Sequence, residues 1–456
     1  PWSSLPCLVS TLRSSAATLW FSSLRHEGPS ISSRYPLFSS LSMRHTRLGS
    51  GKGQLRLSQG GVRDEDLSAE PPIFPTFREE RPVTETETDR GREMQHAMHV
   101  FDAPTTKIAI MCNSFSGSAG IDRVVAWQAK NLKSQSGNYV TIFTLEQDIS
   151  PPDGVNIQVM GIPQNFTLKR FWRLFFPLNF IKIVQWLPML KGYDVIYSHQ
   201  YPLNWLAYLA KKRYGTKYIY YHHHLDPPEV YEELLQRIYV KVLNFLTLWS
   251  AKRADSAISI SQYSRETLLK EIGLDSMVIY NEIDTDRFHP DIDGSRVRHK
   301  YGLYDEPMIL YVGRIAPSKR IHLLIKAFYI VKKALPDAKL MIVGKELFDN
   351  YYENLKEISD DSVIFTGYVS DEELPYYYAA CDVYATASLW EGFNLPLVEA
   401  QACGKPVVAF DIGAHQEVVK PGMGLLAPTN DIARLAQLIQ TFLVRRQARS
   451  VQSGNT

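Results

Sequence analysis

The chain has 456 residues, 45% of them hydrophobic and 21% charged, with a formal net charge of +2. That is enough for two or three domains with large cores, and the near balance of charge leaves no footprint for nucleic acid. The four cysteines, Cys7, Cys112, Cys381 and Cys403, form no CxxC pair and no Cys/His cluster, which argues against a zinc site or a disulfide framework and suits a reducing compartment.

Residues 1–104 differ from the rest. The first 60 hold Arg13, Arg25, Arg34, Arg44, Arg47, Lys52 and Arg56 against one acid, Glu27, and an acidic, mixed-charge stretch follows. Neither part shows hydrophobic periodicity, so disorder is expected. The Ser/Arg-rich, acid-poor leader resembles an organelle transit peptide. With Pro1 where a methionine would start the chain, a fragment or an over-extended gene model with its start at Met94 or Met98 is the alternative.

Order is expected from about Thr105. KIAIMCNSF (107–115) reads as a buried strand, and GSAGIDRVVAWQAKNLKSQ as a glycine-containing turn leading into a helix. YVTIFTL (139–145), YDVIYSHQ (193–200), KYIYYHHH (217–224), the start of ADSAISISQYSRETLLKEIG (254–273) and VIYNEI (278–283) read as further strands. Helical LNWLAYLAKKRYG stops at Gly215. A polar, proline- and glycine-marked stretch at 284–306 interrupts the pattern, and domains are placed at 105–290 and 291–456. The second half repeats the alternation: MILYVGRI (308–315), a helix over 322–335, AKLMIVG (338–344), VIFTGYV (363–369), EELPYYYAAC and DVYATA (382–387). Two such runs predict two doubly wound α/β domains facing each other across a cleft, with ligands at the carboxyl ends of the strands.

The apolar stretch FWRLFFPLNFIKIVQWLPML (171–190) is broken by Arg173, Pro177, Lys182 and Pro188, so it does not read as a membrane span. Two readings stay open: an amphipathic helix pair packed on its own domain, or a basic, aromatic face resting on a membrane surface.

Two stretches carry chemistry. In YVGRIAPSKRIHLLIKAF (311–328) a strand ends at Val312-Gly313, and Arg314 and Lys319 follow in the loop before a helix. They are either two solvated surface cations or an anion site. In EGFNLPLVEAQACGKPVVAF (391–410), Pro396 and Gly404 bracket a short helix from about Leu395 to Cys403. Glu391, Gly392, Phe393 and Asn394 then form the loop at its N-terminus, where free backbone N–H groups attract phosphate or hydroxyl oxygens. Glu399, a turn into the helix, either neutralises the helix dipole or accepts two hydrogen bonds from a vicinal diol.

Together these stretches resemble glycosyltransferase family 4, the retaining GT-B enzymes. GRIAPSKRIHLLIKAF matches the family's G-R-x(4)-K signature, and EGFNLPLVEAQACGKPV matches its E-x7-E signature. AISISQYSRETLL, IYNEIDTDRFHP and VIFTGYVSDEELPYYYAACDVYATAS resemble family segments in the same order, over residues 107–430. The resemblance implies a C-terminal domain that binds a nucleotide-diphosphate sugar. Gly313, Arg314 and Lys319 would face the diphosphate, and Glu399 the ribose. Glu391 with Gly392, Phe393, Asn394 and Leu395 would face the sugar and phosphates, and Gly367, Tyr368 and Val369 the base. The N-terminal domain would bind a glycan or lipid-linked acceptor, with Gly120 in its first loop. His223 best fits the histidine that the family places near the reacting sugar; His222 and His224 are alternatives, and His199 is a weaker candidate. The reaction implied is hexose-type transfer with retention, through front-side displacement, with no metal and no cofactor. Peripheral membrane contact and a place in the cytoplasm or on the cytosolic face of a membrane are expected, and nucleic acid is not.

The chain departs from the family pattern at Ser118-Ala119, at Asn281-Glu282 and at Gly344-Lys345. It also stops where GT-B enzymes continue with helices that cross back to the first domain. A truncated or degenerate homologue that binds nucleotide sugar without catalysis is therefore the alternative. A dinucleotide-dependent oxidoreductase would need G-x-G-x-x-G after the first strand, and SFSGSAG does not supply it. DTD at 284–286 reads as structural.

Overall fold

A computed structural model describes residues 106–116, 120–135, 137–231, 233–346 and 349–453. The expected leader, residues 1–104, lies outside them.

The first sheet is parallel and has seven strands: β1 (Lys107–Phe115), β2 (Tyr139–Gln147), β3 (Asn156–Val159), β4 (Val195–Ser198), β5 (Lys217–His222), β6 (Ser256–Ser259) and β7 (Met277–Val278). Their order is β3-β2-β1-β4-β5-β6-β7. The chain winds outward from β1 in one direction and then, from β4, in the other. The crevice between the carboxyl ends of β1 and β4 is thus a topological switch point, where doubly wound sheets bind ligands. The connecting helices are α1 (Gly120–Ser134), α2 (Phe166–Leu174), α3 (Phe180–Trp186), α4 (Leu203–Tyr214), α5 (Leu234–Ala251) and α6 (Gln262–Ile272). Central strands β1 and β4 are buried almost throughout, which explains their continuous apolar runs.

The second sheet has six parallel strands: β8 (Met308–Val312), β9 (Lys339–Val343), β10 (Val363–Gly367), β11 (Val383–Thr386), β12 (Val407–Phe410) and β13 (Gly424–Ala427). Its order, β10-β9-β8-β11-β12-β13, puts a second switch point between β8 and β11. Its helices are α7 (Ser295–Lys300), α8 (Ile321–Ala334), α9 (Asp349–Glu357), α10 (Leu374–Ala380), α11 (Leu395–Ala402), α12 (His415–Val418) and α13 (Ile432–Ser453). Helix α13 packs along α8 and the edge of β12 and β13, and buries Leu435, Ala436, Ile439 and Leu443 in the second core.

Two expectations differ from the fold. The strand expected over 278–283 ends at Val278, because β7 has only the short edge of β6 to pair with, Ile258 to Met277 and Ser259 to Val278. Helix α5 was not expected at all: apolar residues fall on every side of it, so no single stripe marks it.

The candidate functional site

Both switch points open toward each other, and the two halves touch there. Ser261, which caps α6, donates from its hydroxyl to the Gly392 carbonyl at 2.8 Å. The backbone N–H groups of Gln262 and Tyr263 donate to the Glu417 carboxylate at 2.7 and 2.8 Å. Gly392 needs to be glycine at this contact, since a Cβ there would lie 2.7 Å from the His223 carbonyl and 2.8 Å from His224 Cβ. Gly120, the first residue of α1, comes within van der Waals range of Leu395, with an ideal Cβ 3.6 Å from Leu395 Cδ1.

The strand ends of the second half hold the predicted donor residues. After β8 the chain turns at Gly313, whose φ of 155° lies in a region that L side chains rarely adopt. The Tyr311 hydroxyl packs under this turn and donates to the Arg314 carbonyl at 3.1 Å. Arg314 itself is exposed. Lys319 ends a 3₁₀ turn over Pro317–Lys319 and reaches across to the loop after β11, with its Nζ 2.6 Å from Glu391 Oε1. The same oxygen accepts from the Ser388 hydroxyl at 2.8 Å, and the Leu389 N–H donates to the Ser318 carbonyl at 2.9 Å. The two loops are therefore stitched together by side chains and backbone. Burial alone would raise the Glu391 carboxyl, but the Lys319 charge and the hydrogen bonds outweigh it and hold the group below its ordinary range.

Helix α11 begins as expected and ends one residue early. Its N-cap, Asn394, sits in the left-handed region with φ 76° and makes no side-chain cap bond. The Asn394 amide instead meets His415 Nε2 at 3.0 Å, while His415 Nδ1 meets the Phe410 carbonyl at 2.7 Å. A carbonyl can only accept, so His415 carries its proton on Nδ1 and is neutral. Pro396 has no N–H and the Leu397 N–H donates to the Asn394 carbonyl at 3.1 Å. With the Asn394 side chain diverted, it is therefore the Leu395 N–H that keeps its capacity for an anion or a hydroxyl. Gly392, Phe393, Asn394 and Leu395 are all buried around this turn. Gly367 ends β10, followed by exposed Tyr368 and half-buried Val369.

Glu399 departs from the free diol acceptor that the sequence suggests. Its carboxylate is buried, with one oxygen accepting from the Tyr378 hydroxyl at 2.7 Å and the other paired with the Arg123 guanidinium. Arg123 stands in the first turn of α1, in the other half of the molecule. Desolvation works most strongly against the Arg123 charge, yet Glu399, with Tyr378, Asp371 and Tyr368 adding to it, outweighs that cost and raises the group. Sequence reasoning missed Arg123. The available signal was a cation in a helix's first turn, where the helix dipole is unfavourable to it. The neighbouring Asp122 does what an acid there should, accepting from the Ser116 N–H and hydroxyl at 3.1 and 2.8 Å.

On the first sheet, His223 lies just past β5, beside His199 at the end of β4. His199 Nε2 is 2.9 Å from Gln128 Oε1, and His199 Nδ1 is 2.7 Å from His223 Nε2. With Gln128 accepting, the proton on His199 sits at Nε2, and His223 donates from its own Nε2. The His223 Nδ1 lone pair is then left as an acceptor. Sequence analysis ranked His199 low, but it fixes the tautomer of His223. His222 points elsewhere, toward the Tyr220 hydroxyl at 3.1 Å. His224 adopts φ 82° and packs between Tyr263 and Trp390, with ring centroids 5.3 Å from each. Among the described residues no group of three or more His, Cys, Asp or Glu is placed to hold a metal ion.

Burial pushes the His199 and His222 imidazoles from 6.5 down to about 3. The unfolded chain takes up these protons near pH 6.5 and the folded chain only near 3. Stability from this source is therefore full above 6.5 and falls as pH drops toward 3, by about 1.4 kcal/mol per pH unit for each histidine. Urea unfolding at a series of pH values should show this slope, and His222→Phe should lower it by one proton's share. An unchanged slope in that variant would refute the assignment.

Two Rossmann-like parallel sheets, with cations and a helix N-terminus at the strand ends of the second, define a two-domain α/β protein. A family model of glycosyl transferases group 1 matches residues 295–455, and one of glycosyltransferase family 4 matches residues 118–287. A GDP-mannose-dependent α-(1-6)-phosphatidylinositol monomannoside mannosyltransferase of Mycolicibacterium smegmatis is 34% identical over 206 residues, 42% of this chain and 53% of that protein. A UDP-Gal:α-D-GlcNAc-diphosphoundecaprenol α-1,3-galactosyltransferase of Escherichia coli is 29% identical over 255 residues, 53% of this chain and 64% of that protein. The chain spans about half the length of the curated relatives it matches. In fold it resembles sucrose-phosphate synthase from Thermosynechococcus elongatus, with a TM-score of 0.62 at 23% identity over 74% of this chain and 90% of that one. It also resembles WaaG, a glycosyltransferase involved in lipopolysaccharide biosynthesis, with a TM-score of 0.60 at 15% identity over 76% and 93%. The chain belongs to glycosyltransferase family 4 and has the GT-B fold.

Proposed function

We propose that the protein transfers a hexose-type sugar from a nucleotide-diphosphate sugar to a lipid-linked or glycan acceptor, with retention and without a metal. The observation that carries this reading is the Lys319–Glu391 pair at the β8–β11 switch point, beside the uncapped N-terminus of α11. A lysine ammonium has three protons to give, so Lys319 can hold Glu391 and still reach a phosphate oxygen. The leaving nucleoside diphosphate gains charge as the glycosidic bond breaks. Lys319, Arg314 and the Leu395 N–H at the start of α11 therefore act most strongly in the transition state, which supports a catalytic role for these groups. Glu399 would take the ribose hydroxyls and release Arg123.

Glu391 is held by Lys319 and Ser388, which disfavours it as a covalent nucleophile. Front-side displacement, with the leaving phosphate helping to deprotonate the acceptor, fits that constraint better. His223, its tautomer set by His199, would orient the donor sugar. Acceptor chemistry follows the relatives named above, which act on a phosphatidylinositol mannoside and on a diphosphoundecaprenol-linked sugar.

A thermal-shift screen over UDP-, GDP- and ADP-sugars tests the donor half. One donor should raise the melting temperature, and Arg314→Ala should reduce that response. No response to any donor would favour a homologue that has lost donor binding.

A further inference from the structure

The stretch 171–190 left two readings open, and the fold lets both stand on different faces of the same helices. Trp172, Phe176 and Trp186 turn inward and pack against one another, with centroids 5.2 to 5.9 Å apart. The opposite face does not pack. Leu168 and Phe171 on α2 and Phe175 at its C-cap are exposed and form a single stripe at helical spacing. On α3, Phe180, Ile181 and Val184 are 69%, 73% and 71% exposed. Helix α5, which touches α2, adds a second stripe at the same kind of spacing: Leu234, Ile238, Val242 and Phe245, with Leu235 at 78%. Isolated exposed leucines need no explanation, but stripes on three helices do.

Charge names the occupant. Residues 166–191 hold Lys169, Arg170, Arg173, Lys182 and Lys191 and no acid, and α5 holds Arg237 and Lys241 and no acid. Not all of these cations are available. Lys169 pairs with Glu146 at 2.5 Å, and Arg170 lies over the Tyr239 ring at 4.3 Å, which ties α2 to α5. Arg237 is exposed but its Nε donates to the Tyr231 carbonyl, whereas Lys191 and Lys241 are exposed. An apolar surface bordered by cations complements an anionic lipid surface, where apolar side chains enter the acyl boundary and cations meet headgroup phosphates. Among the described residues no helix is long and apolar enough to cross a membrane, so the contact is one of lying on the surface.

We propose that α2, α3 and α5 form a docking face for an anionic phospholipid membrane. The face borders the candidate acceptor side. Asn244 of α5 donates to the Asp226 carbonyl at 2.9 Å, and the Tyr231 hydroxyl donates to the Asp226 carboxylate at 2.7 Å, three residues beyond His223. Docking would bring lipid headgroups to that loop. Membrane docking itself stands without the transfer reading; only its use in presenting an acceptor rests on it.

Co-sedimentation of the full chain with phosphatidylcholine vesicles, with and without phosphatidylglycerol, tests the proposal. Binding should require the anionic lipid and weaken with salt. The triple substitution Phe180→Ser, Ile181→Ser, Val184→Ser should lower it at least about tenfold. Lys241→Glu should lower it about fivefold or more, a lysine near the surface being worth roughly that factor. Each variant's melting temperature and donor-induced shift, measured without vesicles, should match wild type, since these side chains are already exposed. That control separates failure of docking from failure of donor binding. Wild type that ignores anionic vesicles, or variants that bind as wild type does, would overturn the proposal. So would light scattering that shows a dimer in wild type and a monomer in the triple variant, which would assign the face to a second copy of the chain.

Discussion

Lys319→Ala should be the most damaging single substitution in the donor site. The Lys319 and Glu391 side chains are 18% and 12% exposed, so removing the lysine leaves a carboxylate with little water to turn to. Breaking such a pair costs about 3–5 kcal/mol of stability. Turnover should fall further, by about 10²–10³, because a fixed cation at the developing diphosphate is lost. The two effects can be separated. A double variant, Lys319→Met with Glu391→Leu, removes both charges and should recover most of the stability in urea unfolding. It should recover none of the donor-induced thermal shift. If the double variant regained the donor response, the pair would be scaffold alone.

Arg123→Ala and Glu399→Gln should separate in sign. Arg123 leaves a buried carboxylate behind when removed, with Tyr378 as its remaining hydrogen-bond donor, and the fold should lose about 3 kcal/mol. If a ribose takes the oxygen that Arg123 now holds, a donor binding to wild type first has to displace the guanidinium. In Arg123→Ala that cost disappears, so the donor should stabilise the variant more than it stabilises wild type. Glu399→Gln removes the acceptor and should abolish most of the shift. Equal losses in both variants would mean that Arg123 contributes to donor binding directly.

Much of this arrangement could be read from local pattern. Strand β1 has the bounds that its apolar run suggests, α4 stops at Gly215, and Pro396 and Gly404 frame α11 to within a residue. Each of those signals lies inside the element it defines or within two residues of its end. What stayed hidden depends on residues far apart in the chain. The Arg123–Glu399 pair joins positions 276 apart, and the Lys319–Glu391 pair joins positions 72 apart. Glu399 could be assigned a ribose from the family resemblance, but nothing local indicates that an arginine of the other half already holds it. The three adjacent histidines show the same limit. Their alternation along the strand separates them, yet only the fold shows His223 against His199 while His222 turns to Tyr220. Helix α5 was hidden for a different reason: its packed face and its exposed face are both apolar, so the usual contrast between them is missing.

The most direct measurement is nucleoside diphosphate released from a panel of nucleotide sugars, with a membrane lipid extract as acceptor and the products followed by mass spectrometry. Wild type should release one diphosphate in step with the appearance of a lipid one hexose heavier, and Lys319→Ala should slow both together. Diphosphate release without any glycosylated product would contradict transfer. So would a Lys319→Ala variant, shown to be folded, that turns over as fast as wild type.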